Sequence, residues 1–170
     1  MKKLAFIIIF AFFTQSTVSA QSCLPDGITF TTQAEIDNFQ TNNPNCTEIE
    51  GDVLINGGDI VNLNGLSVLT SIAGSLFIGT DYYNNPSITS LTGLDNVMSI
   101  GGDLSIGGID SLTSLTGLDN VMSIGGDIDI KYNHALTSLT GLEGLTSMGG
   151  DLSIGGNNAL TSLTGHCCLQ

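Results

Sequence analysis

A repeat of 24 residues restricts the fold of this chain more than any other feature of its sequence. The motif SLTGLDNVMSIGGD begins at residue 90 and again at residue 114, and its first glycine has counterparts elsewhere in the chain. These glycines are separated by 28, 24, 24 and 24 residues, and they are Gly65, Gly93, Gly117, Gly141 and Gly165. A constant period of this size is typical of a solenoid, in which each repeat forms one coil stacked on the next.

Apolar residues occupy the same positions of every coil when the coils are aligned on these glycines. The clearest columns are Leu66, Leu94, Leu118 and Leu142; Ile72, Ile100, Ile124 and Met148; and Leu76, Leu104, Ile128 and Leu152. Leu104 and Ile106 alternate with polar residues, which predicts a short strand with one buried face. The doubled glycine before this strand permits a sharp corner. The pattern predicts an all-β fold, a short parallel β-helix whose coils stack at ~4.8 Å.

The first 20 residues have the layout of a secretory signal peptide. Lys2 and Lys3 precede an apolar run, and small residues end the segment at Ala20. The apolar run is shorter than the ~20 residues that a membrane-spanning helix needs, so we expect cleavage rather than anchoring. The sequence therefore predicts a protein that is secreted or displayed at the cell surface, with no membrane insertion after cleavage.

The charge of the chain excludes several classes of partner. It has 16 acidic residues and three lysines with no arginine, and removal of residues 1–20 leaves Lys131 as the only lysine. Nucleic acids and anionic lipids bind surfaces whose cations neutralise phosphate groups, and this surface lacks them. We expect a glycan or a protein as ligand, and no nucleic acid.

Residues 21–50 do not follow the repeat and are predicted to form an N-terminal cap. Thr32 and Glu35 form a capping-box pattern, and Ile36 and Phe39 share one face of the helix that it begins. We expect this short helix to cover the open end of the first coil. Export permits disulfides, and a bond between Cys23 and Cys46 would staple the cap.

The stretch NCTEIEGDVLI at residues 45–55, followed by coils of the LTGLDNVMSIGGDLSI type, resembles the receptor L domain family, also called leucine-rich-repeat-like L domains. The resemblance covers residues 23–165. It implies a short right-handed β-helix that acts as a ligand-binding or cell-surface module in receptors, fungal wall proteins and exported bacterial proteins. It implies no binding residue, because fold alone does not determine a site.

The end of the sequence departs from this pattern. We assign residues 51–165 to the solenoid and residues 166–170 to an irregular tail. His166 stands where a leucine of the first column is due, and Cys167 and Cys168 follow it. Two adjacent cysteines and one histidine lack the usual spacing of a zinc site, so an intermolecular disulfide or a fragment end is the favoured interpretation.

Two acidic columns are candidates for a metal site. Asp103, Asp127 and Asp151 lie at one position of successive coils, and a second column contains Asp95, Asp119 and Glu143. Oxygen ligands repeated at coil spacing suit calcium, and no other cofactor is indicated. The alternative, which we favour, is that each carboxylate accepts hydrogen bonds from backbone N–H groups in the adjacent glycine corner or turn.

The segment GTDYYNNPS at residues 79–87 is four residues longer than its counterparts in later coils. Loops on a rigid scaffold often carry recognition, and tyrosines stack on sugar rings. The candidate ligand-binding residues are Asp81, Tyr82, Tyr83 and Asn84. An insertion without a function is the alternative.

Together these features predict a non-enzymatic binding or adhesion module. One alternative is a polysaccharide-active β-helix enzyme that uses carboxylate pairs such as Asp103 and Asp127. Stacked carboxylates serve every coil alike and define no single cleft, which disfavours that alternative. Another alternative is a structural fragment of a longer surface protein.

Overall fold

The computed structural model describes residues 21–80 and 85–163 as a solenoid with two parallel sheets of six strands each. The strands of the first sheet are Ser22–Cys23 (β1), Glu48–Ile49 (β3), Ser71–Ile72 (β5), Ser99–Ile100 (β7), Ser123–Ile124 (β9) and Ser147–Met148 (β11). Those of the second are Ile28–Phe30 (β2), Val53–Ile55 (β4), Leu76–Gly79 (β6), Leu104–Gly107 (β8), Ile128–Lys131 (β10) and Leu152–Gly155 (β12). Each coil contributes one strand to each sheet, so the predicted all-β parallel β-helix is confirmed.

The register of the sheets matches the columns of the sequence. Ile128 in β10 lies opposite Leu104 in β8 and Leu152 in β12. Because neighbouring strands are parallel and in register, equal positions of successive coils stack on one another. Leu104, Ile128 and Leu118 are fully buried, as the apolar columns predict.

The N-terminal segment forms two short helices, Gln33–Asp37 (α1) and Phe39–Asn42 (α2). The predicted capping box is present at the start of α1, and Ile36 and Phe39 are buried. The ring of Phe39 meets that of Phe30 edge to face, with centroids 5.9 Å apart. The helices pack against a 3₁₀ turn at Asn64–Leu66 and so cover the first full coil.

The predicted disulfide between Cys23 and Cys46 is present, with 5.6 Å between the two Cα atoms. It joins β1 to the end of the helical segment. Strands β1 and β2 both lie within residues 21–50 and pair with β3 and β4. The sheets of the solenoid therefore begin inside the segment that the sequence marks as a cap.

The last described coil is less well covered than the others. Leu152, Ile154 and Leu160 are only partly buried, whereas their counterparts in the preceding coil are buried. In residues 21–80 and 85–163, no helix is long and apolar enough to cross a membrane.

Candidate functional site

The glycine–aspartate corners of the solenoid form a hydrogen-bonded ladder. Oδ1 of Asp103 accepts the backbone N–H of Asp127 at 2.9 Å, and Oδ1 of Asp127 accepts that of Asp151 at 2.7 Å. In earlier coils Asp52 accepts from Ser75, and the Ser75 hydroxyl accepts from Asp103. Each acidic side chain thus links its coil to the next.

The glycine before each aspartate makes room for this ladder. A Cβ atom at Gly126 would overlap Oδ1 of Asp103, and one at Gly150 would overlap Oδ1 of Asp127. The repeated sequence GGD therefore has a packing explanation: the glycine lets the carboxylate of the preceding coil reach the backbone.

The second acidic column also bonds to the backbone. One carboxylate oxygen of Asp95, Asp119 and Glu143 accepts the N–H of the glycine two residues earlier, at 2.7 to 2.8 Å. These are the hydrogen bonds that we favoured over calcium. Within the described ranges, no group of three or more His, Cys, Asp or Glu side chains is arranged to hold a metal ion. Calcium binding by Asp103, Asp127 and Asp151 stays a prediction.

Asparagines form a second ladder, along the corner that follows β10 and β12. Oδ1 of Asn133 accepts the N–H of Ile109 at 3.0 Å, and its Nδ2 donates to the carbonyl of Ile106 at 2.9 Å. Asn157 repeats both contacts one coil later, with the N–H of Asn133 and the carbonyl of Ile130. Asn133 is fully buried and is the one buried polar side chain of the described core.

The same corner anchors the insertion found in the sequence. Residues 81–84, which include all four candidate ligand-binding residues, lie outside the described residues. On either side of them, Thr80 N–H donates to Oδ1 of Asn85 at 2.6 Å, and Nδ2 of Asn85 donates to the carbonyls of Thr80 and Gly108. The insertion therefore starts and ends beside Gly108.

Tyr132 lies two coils along this corner from Thr80 and is 46% exposed. Its φ of 57° is in the left-handed region, and the equivalent residues of the adjacent coils are Gly108 and Gly156, with φ of 67° and 69°. A Cβ atom at Gly156 would lie 2.5 Å from Cδ1 of Tyr132, so the ring lies against that glycine. We call Thr80, Asn85, Gly108, Tyr132 and Gly156 the tyrosine corner.

Strand β10 ends at this corner with an ion pair. Nζ of Lys131 lies 2.7 Å from Oδ2 of Asp129, and both side chains are a little over one third exposed. Oδ1 of Asp129 is buried and accepts no hydrogen bond. Tyr132 directly follows Lys131 in the chain.

A groove lies on another side of the solenoid, where the chain enters the first sheet. Met98 and Met122 occupy the same position of adjacent coils and are 46% and 50% exposed. The groove has a volume of about 780 Å³ and is mainly apolar. Its lining includes Val68, Thr70, Asn96, Met98, Asn120 and Met122. We call it the methionine groove.

Sequence reasoning missed Tyr132, Met98 and Met122 as surface candidates. Tyr132 had a signal, because it replaces the glycine of the adjacent coils. The methionines had a weaker one: they repeat in VMSIGGD, but the pattern does not separate an exposed methionine from a buried one.

No protein-family model, curated protein or solved structure matches this chain.

Proposed function

We propose that this chain is an exported, non-enzymatic binding module of the receptor L domain type, secreted or held at the cell surface, whose ligand is a glycan or a protein. The observation that carries the proposal is Tyr132, a half-exposed aromatic residue whose backbone has a left-handed conformation. Glycine occupies the equivalent position in both adjacent coils. A left-handed conformation costs a residue other than glycine about 1–2 kcal/mol. Residues kept in such conformations cluster at functional sites.

The surroundings of Tyr132 support recognition at this corner. The ring lies over Gly156, and Gly108 separates it from the anchors of the insertion that contains Tyr82 and Tyr83. Two coil steps of ~4.8 Å, about 10 Å in all, separate Thr80 from Tyr132. Aromatic faces stack on the apolar faces of sugars and on protein side chains, and the adjacent Lys131 and Asp129 supply polar contacts.

The chemistry of the chain supports binding more than catalysis. The carboxylates repeated along the solenoid accept backbone hydrogen bonds coil after coil, which gives them a structural role. The Cys23–Cys46 disulfide suits an oxidising compartment, in agreement with the signal peptide that residues 1–20 resemble.

A glycan and protein array probed with the mature chain tests the proposal. We expect a ligand that wild type captures and that neither Tyr132→Gly nor the double variant Tyr82→Ala/Tyr83→Ala captures. Tyr132→Gly relieves the left-handed backbone, so we expect it to keep its melting temperature. Thr113→Ala, an exposed change on a different side of the coil, is the matched control and should bind normally.

Two results would contradict the proposal. Undiminished capture by both tyrosine variants would remove the tyrosine corner as the binding surface. Release of reducing ends from a polysaccharide by wild type would favour the enzyme alternative.

A further inference from the structure

The methionine groove is a second surface, independent of the tyrosine corner, and its floor has fixed spacing. The N–H of Met98 donates to the carbonyl of Thr70, and the N–H of Met122 to that of Met98, both at 2.9 Å. Thr146 continues the series by donating to Met122 at 2.9 Å. The two thioether side chains therefore stand one coil step apart on a backbone that is hydrogen-bonded along the whole groove.

The wall of the groove is equally ordered. Nδ2 of Asn96 donates to the carbonyl of Ser67, and Nδ2 of Asn120 to that of Asp95, both at 2.7 Å. These bonds fix the amide planes beside the methionines. A smaller cavity of about 390 Å³ shares Thr47 and Val68 with the groove and extends the concave surface toward α2.

The charges around the groove are all negative. Asp119 lines it, and Asp95 and Glu143 hold the equivalent positions of the adjacent coils. Each keeps one oxygen on a glycine N–H, which fixes the carboxylate in place. In the described part of the chain the single lysine or arginine is Lys131, which lies on β10 of the other sheet beside Asp129.

An apolar floor beside fixed carboxylates selects an apolar and cationic occupant. Flexible, polarisable methionines adapt to varied apolar side chains, which suits a protein segment better than the rigid polar outline of a sugar. From Thr47 to Met122 the groove crosses three coil steps of ~4.8 Å, enough for about four residues of extended chain at ~3.3 Å each. The carboxylates beside it raise the local concentration of basic groups.

We propose that the methionine groove is a docking site for a basic, amphipathic segment of a partner protein. Apolar side chains of the partner segment, such as leucine, pack on Met98 and Met122. Its lysines or arginines face Asp95, Asp119 and Glu143. An acidic segment would be repelled at the same place.

Fluorescence anisotropy with a labelled peptide of alternating leucine and lysine tests this proposal on the mature chain. We expect Met98→Ser/Met122→Ser to weaken binding at least about tenfold, the change that ~1.4 kcal/mol produces. Val61→Ser removes an equally exposed apolar side chain, 56% exposed, outside the groove and should leave affinity unchanged. Asp119→Asn keeps an oxygen for the N–H of Gly117 and should weaken binding by removing charge alone.

Two further peptides separate specific docking from general charge attraction. A peptide of alternating serine and lysine carries the same charge without apolar side chains, and a leucine and glutamate peptide carries the opposite charge. We expect neither to bind as the leucine and lysine peptide does. Equal binding of the serine and lysine peptide, or full affinity of the double methionine variant, would overturn the proposal.

Methionine methyl NMR provides a check that does not depend on a variant's folding. The mature chain has three methionines, and Met148 is half-buried and does not line the groove. We expect the leucine and lysine peptide to shift the methyl signals of Met98 and Met122 and to leave that of Met148 in place. A shift of Met148 alone, or of none of the three, would also overturn the proposal.

Discussion

Asn133 offers the sharpest test of how the coils are held together, because it is the fully buried member of the asparagine ladder. In Asn133→Ala the N–H of Ile109 loses its acceptor, and the carbonyl of Ile106 loses a donor. An unsatisfied buried donor costs about 1–3 kcal/mol, and a lost hydrogen bond about 1 kcal/mol. We therefore expect the free energy of unfolding to fall by about 3 kcal/mol, a large share of the ~5–15 kcal/mol that holds most domains together.

Asn157→Ala is the matched control for this prediction. Asn157 makes the same two contacts one coil later, at 2.9 and 2.8 Å, but it is only half-buried. Water can replace its hydrogen bonds, so we expect a loss of about 1 kcal/mol. Equilibrium urea unfolding of both variants measures the difference. Equal losses would refute the argument that burial of the N–H of Ile109 sets the cost.

Three other changes test separate parts of the structure. Loss of the disulfide in Cys23→Ser/Cys46→Ser frees a loop with a sequence separation of 23 residues and should cost about 3 kcal/mol in urea unfolding; an unchanged midpoint would contradict this. Gly126→Ala displaces the carboxylate of Asp103 and should lower the free energy of unfolding by at least about 1 kcal/mol. In a double-mutant cycle, the additional change Asp103→Ala should restore part of this loss, and a purely additive cycle would contradict the argument. The pKa of Glu35 is lowered, first of all by the hydrogen bond from the backbone N–H of Thr31, so its contribution to stability is present above the ordinary carboxyl pKa of ~4.3 and is lost as pH falls through the lower folded value. Urea unfolding across this pH range should give free energies of unfolding for wild type and Glu35→Gln that converge at the acidic end. A difference between the two proteins that does not change with pH would refute the assignment.

The solenoid could be predicted from sequence because its period determines both strand pairing and core. Once Gly93 and Gly117 are aligned, every apolar column follows, and the structure confirms that these columns are buried up to the last described coil, where Leu152 is only partly buried. The capping box at Thr32 could also be predicted, because it depends only on residues close together in the sequence. The pairing of β1 with the first sheet could not be predicted, because residues 21–50 contain no copy of the repeat.

The surface features were harder to predict for physical reasons. Met98 and Met122 are about half exposed, and a methionine in an apolar repeat gives no sequence signal that separates an exposed position from a buried one. In sequence, Asn133 cannot be distinguished from an ordinary asparagine in a turn. In the structure its buried side chain bonds to the N–H of Ile109 and the carbonyl of Ile106. Tyr132 was visible as a departure from glycine, but its left-handed conformation came only with the structure.

The GGD corners also make the chain divisible in whole coils. Residues 99–103 and 123–127 both read SIGGD, so excision of residues 101–124 would rejoin Ile100 to Gly125 and restore the same corner, with every hydrogen-bonding column still aligned. Recombination between such identical segments would lengthen or shorten the protein by whole coils. The same excision would bring Tyr132 one coil closer to the insertion and leave a single methionine in the groove, so a change in coil number alone would alter the geometry of both surfaces.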